Sequence, residues 1–297
     1  MDNNKRAKCI AFQGLKGGIG KTTFTENSAV TCAVAGYKVL VIDQDPQGSS
    51  TEFFRVFDEN NCELEKKDIV DMGLYNLYIN SVDVKDYIKR TRYKKIDIIP
   101  NARNVLEDVS FDTVFDNDLR DKRDKLLAFY NNLEAIKDEY DYIFIDGQPS
   151  NGRMTDVLLA ASDEVVCPIR VDIYNISPVY DIMVKVDYFN HYLDRNIIFR
   201  GYVFNQFGKS DEDLTFLYKE NFDPAYYIDT PIRFSATIPA KSSVSATSFI
   251  EYMRYSNPAK DFIKFLIKGI KVIDKKHEKI LNDNIEYKDF GLRKIEE

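Results

Sequence analysis

The chain of 297 residues is 44% hydrophobic and 13% aromatic, a composition typical of a globular protein and not of a disordered one. Its 41 basic and 48 acidic residues give a net charge of −7, so any surface that binds nucleic acid must be a local basic patch. Four scattered cysteines without CxxC spacing and only two histidines argue against a zinc site. The N-terminal MDNNKRAK leads into a strand-like CIAF, and no apolar run approaches the ~20 residues of a membrane span. We therefore expect a soluble cytoplasmic protein without a signal peptide.

Short apolar runs recur along the chain and predict β-strands. They are nearly continuous rather than alternating, which is typical of a parallel sheet covered on both faces. In chain order, the predicted strands are 9–12 (CIAF), 38–43 (KVLVID), 96–100 (IDIIP), 142–146 (YIFID), 164–169 (EVVCPI) and 197–207 (IIFRGYVFNQF). Between several of these strands, the sequence predicts helices over 22–35, 121–139 and 177–193.

This alternation of strands and helices predicts a doubly wound α/β fold, with a mostly parallel β-sheet flanked by helices. No internal repeat or flexible linker interrupts the chain. We therefore expect a single domain over 1–297, with a core over about 8–270 and a C-terminal helical extension over about 271–297. Residues 52–95 give no clear pattern beyond a short helical stretch around LYNLYIN.

The C-terminal stretch from Pro258 has the pattern of an amphipathic helix. Six lysines are spaced by 4, 4, 3, 4 and 4 residues, which places them on one helical face, with apolar residues on another. The lysines are Lys260, Lys264, Lys268, Lys271, Lys275 and Lys279. Such a face is either a basic patch for DNA or an ordinary solvated surface.

A glycine-rich motif follows the first predicted strand. Gly14 to Thr22 reads GLKGGIGKT between a strand and a helix, the context in which a glycine-rich loop ending in GK[ST] indicates a P-loop, with five residues between Gly14 and Gly20 where the GxxxxGK[ST] pattern has four. Glycines let backbone N–H groups converge on phosphate oxygens, and the helix that begins near Lys21 adds its positive N-terminal dipole. Lys21 is expected to reach the β- and γ-phosphates, and the Thr22 hydroxyl to bind Mg²⁺.

Three aspartates come at or just after the ends of predicted buried strands. Asp146 ends YDYIFID and is expected to hold a metal ion, although an aspartate in this place can also cap a helix. Asp43 and Asp45 belong to VIDQDPQG, and residues at i and i+2 of a strand point the same way. We expect one to hold metal-bound water and the other to orient the attacking water. The alternative is that one only forms a turn before Pro46.

Together, these motifs resemble those of the ParA/MinD ATPases, across roughly residues 8–270. KGGIGKTT resembles their deviant Walker A box, VIDQDPQGSST their Walker A′ box and YDYIFIDGQPS their Walker B box. The DPQG form favours the ParA branch, the ATPases that partition DNA. Two departures are Gly147-Gln148 after the Walker B aspartate, and Thr237 where relatives often carry a basic residue.

The resemblance implies ATP and Mg²⁺ as ligands and assigns roles to individual residues. Lys16 would cross an ATP-dependent dimer interface and contact the phosphates bound by the partner. This agrees with the short loop between Lys16 and Lys21, in which both side chains could not easily reach the same phosphate. Asp45 matches the acid that activates water, whereas Asp43 and Asp146 match residues that hold magnesium mostly through water. Asn205 matches an adenine-reading asparagine. The expected ATP contacts are Lys16, Gly17, Gly18, Ile19, Gly20, Lys21, Thr22, Thr23, Asn205 and Pro231, the last in the loop TPIRFSAT over the base.

The resemblance therefore implies an ATPase of plasmid or chromosome partition. Its ATP-bound homodimer would bind DNA without sequence preference, associate with the nucleoid, and be released when a ParB-like centromere-binding protein stimulates hydrolysis. The candidate DNA contacts are Arg233, Lys241, Lys260, Lys264, Lys268, Lys271 and Lys275.

Two other classes of protein share parts of this pattern. A MinD-like regulator bound to membrane is the main alternative, because the basic amphipathic C-terminal region could lie on anionic lipid. Against it, that region continues into the polar LNDNIEYKDFGLRKIEE. A redox ATPase would need paired cluster-binding cysteines, and Cys9 and Cys32 lie in the wrong places for this.

Overall fold

The computed structural model describes residues 6–70, 72, 75–102, 119–282 and 291–292. The described strands are β1 (Lys8–Phe12), β2 (Val39–Asp43), β3 (Val56–Phe57), β4 (Lys89–Thr91), β5 (Ile96–Ile99), β6 (Tyr142–Asp146), β7 (Glu164–Ile169) and β8 (Ile198–Phe204). They form one sheet in the order β3–β4–β5–β2–β6–β1–β7–β8. The pairs β3–β4 and β4–β5 are antiparallel, and all the other neighbouring strands are parallel.

The predicted strands correspond to β1, β2, β5, β6, β7 and β8, with ends moved by a few residues. Their apolar runs are continuous because every residue of β2, β6 and β7 is buried, as a sheet covered on both faces requires. The remaining two strands, β3 and β4, lie in the stretch 52–95 that showed no pattern. They are too short, at two and three residues, to produce a recognisable alternation.

Helices flank the sheet, which confirms the predicted fold class. The described α-helices are α1 (Lys21–Ala35), α2 (Ser49–Phe54), α3 (Lys66–Val70), α4 (Tyr75–Ile79), α5 (Leu119–Glu134), α6 (Arg153–Ala161), α7 (Ile176–Leu193), α8 (Thr215–Asn221), α9 (Ile238–Val244), α10 (Phe249–Met253), α11 (Asn257–Lys264) and α12 (Lys275–Asn282).

The predicted helices correspond to α1, α5 and α7. Helix α1 ends at Ala35 and is capped by Gly36, whose backbone N–H donates to carbonyl groups of the last turn. The helix predicted over 121–139 is shorter at its C-terminal end, since α5 stops at Glu134 and a separate 3₁₀ turn covers Lys137–Glu139. Helix α7 begins one residue before the predicted start.

The prediction of one continuous C-terminal helix is wrong. After α11 the chain passes through a π-helical turn at Phe265–Gly269 and then leaves the helical path, with Lys271 at a left-handed φ of 55°. The physical reason is burial, because Ile270, Val272 and Ile273 are all buried. In a continuous helix, residues two positions apart, such as Ile270 and Val272, lie on different faces and could not both face the core. The lysines therefore fall into two groups, with Lys260, Lys264 and Lys268 before the break and Lys275 and Lys279 on α12.

Residues 272–281 pack onto the core. The rings of Tyr37 and His277 stack with their centroids 4.0 Å apart, and the Tyr142 hydroxyl donates to the backbone carbonyl of Val272. Leu281 on α12 is buried as well. None of the helices in the described ranges has the length and apolar composition of a membrane-spanning segment.

Candidate nucleotide-binding site

The ends of three neighbouring strands bring the predicted site together. Strand β6 lies between β1 and β2, and Asp146 at its end pairs in register with Phe12 on one side and with Asp43 on the other. Because these strands are parallel, the loop that follows β1 and both aspartates meet at the same edge of the sheet. Ligands of open α/β sheets bind at this carboxyl edge.

The loop after β1 has the backbone of an anion cradle. Gly18 and Gly20 adopt φ values of 72° and 108°, which side chains with a Cβ rarely tolerate. Helix α1 begins directly afterwards at Lys21, without an N-terminal side-chain cap and without an acidic residue in its first turn. Its first N–H groups and its dipole are therefore available to a phosphate.

The two lysines of the loop lie in different surroundings. Lys21 is only 6% exposed, and its Nζ donates a 3.0 Å hydrogen bond to the backbone carbonyl of Lys16. Burial lowers the pKa of Lys21, and the charges of Asp146 and Asp45 partly oppose this effect. The Lys16 ammonium instead lies 5.4 Å from the ring centroid of Tyr174, a side chain that is 74% exposed. Lys21 thus points into the loop, and Lys16 lies over a ring at the surface.

The two strand-end aspartates are fully buried and close to hydroxyl groups. Asp43 Oδ2 accepts hydrogen bonds from the backbone N–H and the hydroxyl of Thr51, at 2.8 and 2.7 Å. Asp146 Oδ2 accepts one from the Ser50 hydroxyl at 2.8 Å. Burial raises the pKa of Asp146 to about 7, and the hydroxyls of Thr22 and Ser50 partly oppose this. Burial also raises the pKa of Asp43, to which the charge of Asp146 adds.

These residues fit a magnesium ion. Asp146 Oδ1 is buried and has no hydrogen-bond partner among the described residues, which is costly unless a ligand completes the site. No group of three or more His, Cys, Asp or Glu side chains in the described part of the chain forms a cage for a metal. Mg²⁺ does not need such a cage, since it is usually held by one or two carboxylates, water and substrate phosphates. Thr22, Asp43 and Asp146 are the residues that would hold it.

Asp45 lies in a turn and not, as expected, on one strand with Asp43. Strand β2 ends at Asp43, and the backbone N–H of Asp45 donates to Asp43 Oδ1 at 3.2 Å. Asp45 Oδ1 accepts a hydrogen bond from the backbone N–H of Gln47 at 2.9 Å. Asp45 therefore does help to form the turn before Pro46, as the alternative interpretation expected. Its charge still acts on Lys21. Pro46 has no N–H, so the ladder could not continue through this turn.

One acidic residue near the site was missed by the sequence analysis. Glu26 lies four residues after Thr22 on α1, and both line a cavity of about 380 Å³. Burial raises the pKa of Glu26 well above its usual value, and the charges of Asp146 and Asp43 add to this. No box of the motif contains Glu26, but its helical spacing from Thr22 places it on the same face.

Asn205 and the loop expected over the base lie together at the end of β8. Asn205 follows β8, and its Nδ2 donates to the backbone carbonyl of Ile19 at 2.9 Å. The loop that contains Pro231 runs beside the same strand end, because the Ile232 N–H donates to the carbonyl of Phe204 at 2.8 Å. The structure therefore places Asn205 against the phosphate loop, and the loop with Pro231 beside the end of the same strand.

The candidate DNA contacts differ in availability. Arg233 is engaged by Asp261, which accepts from its Nε and Nη2 at 2.8 and 2.7 Å. The side chain of Lys241 lies outside the described residues. The side chains of Lys260, Lys264, Lys268, Lys271 and Lys275 are exposed, and the break at Lys271 divides them into two groups.

Comparison with known proteins gives the following similarities. Residues 7–199 match the AAA domain family AAA_31. The chain is 32% identical over 195 residues to the sporulation initiation inhibitor protein Soj of Bacillus subtilis (strain 168), over 65% of this chain and 70% of Soj. It is 26% identical over 202 residues to the chromosome partitioning protein ParA of Myxococcus xanthus (strain DK1622), over 68% of this chain and 65% of that protein.

A solved structure shares the fold. The septum site-determining protein MinD from Pyrococcus horikoshii OT3, complexed with Mg-ADP, matches with a TM-score of 0.62 over 89% of this chain and 98% of that chain, at 18% identity. The family match covers well over half of the sequence, and it includes both lysines of the loop and both strand-end aspartates. The chain therefore belongs to the AAA_31 family and is a P-loop ATPase of the ParA/MinD type.

Proposed function

We propose that this ATPase partitions DNA, and that MgATP closes it into a homodimer that binds DNA without sequence preference. The proposal rests on the different positions of the Lys16 and Lys21 ammonium groups. The Lys21 ammonium is buried inside the P-loop, where it can neutralise the phosphates of its own nucleotide. The Lys16 ammonium lies over the exposed Tyr174 ring, from which it can reach a nucleotide held by a second copy.

The residues of the site have separate tasks in this proposal. The backbone N–H groups of the P-loop and of the first turn of α1 bind phosphate oxygens. Thr22, Asp43 and Asp146 hold Mg²⁺, which supplies positive charge to the phosphates when bound. Asp45 lies at the less buried rim, where it orients the attacking water and accepts its proton. Asn205 and the loop with Pro231 bind adenine.

A membrane-bound, MinD-like role is disfavoured by the packing of the C-terminal region. Membrane binding by an amphipathic helix requires a free apolar face. In the described part of this region, the apolar side chains Ile270, Val272, Ile273 and Leu281 are buried in the protein. The exposed lysines of α11 and its π-helical turn instead form a compact basic group suited to DNA phosphates.

The proposal is tested by co-sedimentation with DNA and with anionic liposomes, in the presence of ADP, ATP or a non-hydrolysable analogue. We expect binding to DNA with ATP and with the analogue, and no binding to liposomes. Asp45→Ala should prolong the ATP-dependent DNA complex, because the water is no longer activated. Equal DNA binding in all nucleotide states would refute the switch, and ATP-dependent liposome binding would favour the MinD-like alternative.

The partner is tested separately. A centromere-binding protein of the ParB type should accelerate ATP hydrolysis and release the DNA-bound dimer. With Asp45→Ala, the same protein should leave hydrolysis slow, which separates activation of the water from simple loss of DNA binding.

A further inference from the structure

Asn205 is held in one orientation by three hydrogen bonds. Its side chain is 4% exposed, its Nδ2 donates to the Ile19 carbonyl at 2.9 Å, and its Oδ1 accepts from the Gln206 N–H at 2.9 Å. Its own backbone N–H donates to the Ile169 carbonyl at 2.7 Å, which continues the pairing of β8 with β7. The carboxamide is therefore built into the end of the sheet.

The contact with Ile19 controls the direction of one P-loop peptide. The Ile19–Gly20 peptide is trans, so its carbonyl and the N–H of Gly20 point to opposite sides. While Asn205 holds the carbonyl on the side of β8, the Gly20 N–H points away from Asn205. Without that hydrogen bond, this peptide is free to rotate, since Gly20 tolerates many backbone conformations.

The packing around Gly20 supports the same arrangement. A Cβ on Gly20 would lie 2.1 Å from Asn205 Nδ2, so the backbone of the loop lies directly against the carboxamide. Gly20 has a φ of 108°, in the left-handed region that glycine adopts readily because it has no Cβ. Asn205 contacts the loop here from outside the motif.

The same strand end is connected to the loop expected over the base. The Ile232 N–H donates to the carbonyl of Phe204, and the Phe207 N–H donates to the carbonyl of Ile232 at 2.9 Å. In the sequence, Asn205 lies between Phe204 and Phe207, the two residues that bond to Ile232. A movement of the 230–233 loop would therefore reach the P-loop through Asn205.

We propose that Asn205 is a positioning residue for the phosphates, whose carboxamide fixes the Ile19–Gly20 peptide so that the Gly20 N–H faces the phosphate group. This role rests on the proposed nucleotide site and is additional to any contact of Asn205 with adenine. It makes one side chain the connection between the base loop and the phosphate loop.

The first test needs no nucleotide. Hydrogen–deuterium exchange of the segment 13–24 is measured in wild type, in Asn205→Ala and in the isosteric Asn205→Asp, which places an acceptor against the Ile19 carbonyl. Exchange in this segment should be several-fold faster in both variants. The matched control is Asn132→Ala, because Asn132 is equally buried and its Nδ2 donates to the carbonyls of Leu77 and Asn80. Unchanged exchange in Asn205→Ala, or equal acceleration by the control, overturns the proposal.

The second test separates positioning from base recognition. The affinities for MgATP and for magnesium tripolyphosphate, which has no base, are compared by calorimetry. Loss of one hydrogen bond to a buried carbonyl predicts that Asn205→Ala weakens both ligands by about 10-fold. If Asn205→Ala lowers the affinity for MgATP but not for tripolyphosphate, the positioning role is overturned, and Asn205 contacts only the base. If wild type binds neither ligand, the proposed nucleotide function fails, whereas the exchange experiment still decides the role of Asn205.

Discussion

The Nζ of Lys21 lies 3.0 Å from the backbone carbonyl of Lys16, so the two lysines of the P-loop are joined through one backbone group while their charges lie apart. The Lys16 ammonium is placed over Tyr174 instead. This arrangement answers the question of how two cations five residues apart avoid competition for one phosphate: one is buried in the loop and the other extends from it.

The first prediction concerns the separate effects of these two lysines. Lys21→Ala should lower the affinity for MgATP about 10- to 100-fold, because it removes a charged hydrogen bond to phosphate. Lys16→Ala should retain nucleotide binding and lose the ATP-dependent dimer. Calorimetry gives the first quantity and light scattering after size exclusion the second. If Lys16→Ala loses nucleotide binding as Lys21→Ala does, both lysines serve one nucleotide and the two-subunit assignment is wrong.

The second prediction is a pH dependence with opposite signs for stability and for ligand binding. Burial raises the pKa of Asp146 to about 7, whereas a carboxyl in the unfolded chain has a pKa near 3.9. The folded protein therefore holds this proton more tightly, and the resulting stability is lost as the pH rises towards and through about 7. Magnesium binding needs the charged carboxylate, so the affinity for MgATP should fall as the pH is lowered from about 8 to about 6.

Asp146→Asn provides the control for both signs. In the absence of nucleotide, the variant should be more stable than wild type at about pH 8, and the difference should shrink towards pH 6, as measured by urea unfolding. Its MgATP affinity should be low at both pH values. A wild-type affinity that does not change across this window would mean that Asp146 is already ionised in the protein without ligand.

The sequence predicted most of the fold and the phosphate loop for a physical reason. The continuous apolar runs of β2, β6 and β7 follow from burial on both faces, and the P-loop glycines are needed for local backbone geometry. Such features are encoded within a few neighbouring residues. The parallel order of β1, β6 and β2 then brings Asp43 and Asp146 together, as expected for strand-end carboxylates.

Contacts between distant segments could not be predicted in this way. The hydrogen bond from Asn205 to Ile19 joins residues 186 positions apart, and no pattern in either segment indicates it. The lysine spacing after Pro258 suited a single helix, but burial of Ile270, Val272 and Ile273 bends the chain away from it. In both cases tertiary packing determines the local structure. It adds a contact that the sequence pattern does not indicate, or it overrides the pattern.

The third prediction concerns DNA binding by the lysines of α11 and its π-helical turn. Changing Lys260, Lys264 and Lys268 to Glu should weaken ATP-dependent binding to DNA, and should reduce the salt dependence by roughly two to three counterions. ATP-dependent dimerisation should remain. In the control, the exposed residues Lys67, Lys209 and Lys219, which lie elsewhere on the surface, are changed to Glu. Both triple variants change the net charge by the same amount. Fluorescence anisotropy over a range of salt concentrations measures both variants. Unchanged binding at low salt would show that this group is an ordinary solvated surface.

The fourth prediction concerns the segment after the break, which packs onto α1. Leu281 on α12 is 1% exposed, and its backbone carbonyl accepts a hydrogen bond from Arg254. Leu281→Ala should lower the free energy of unfolding by about 2–4 kcal/mol, because it leaves a cavity between α12 and the core. The neighbouring Ile280 is 42% exposed, so Ile280→Ala should change it by no more than about 0.5 kcal/mol. Urea unfolding measures both variants. Equal and small effects would mean that α12 is only loosely attached to the core.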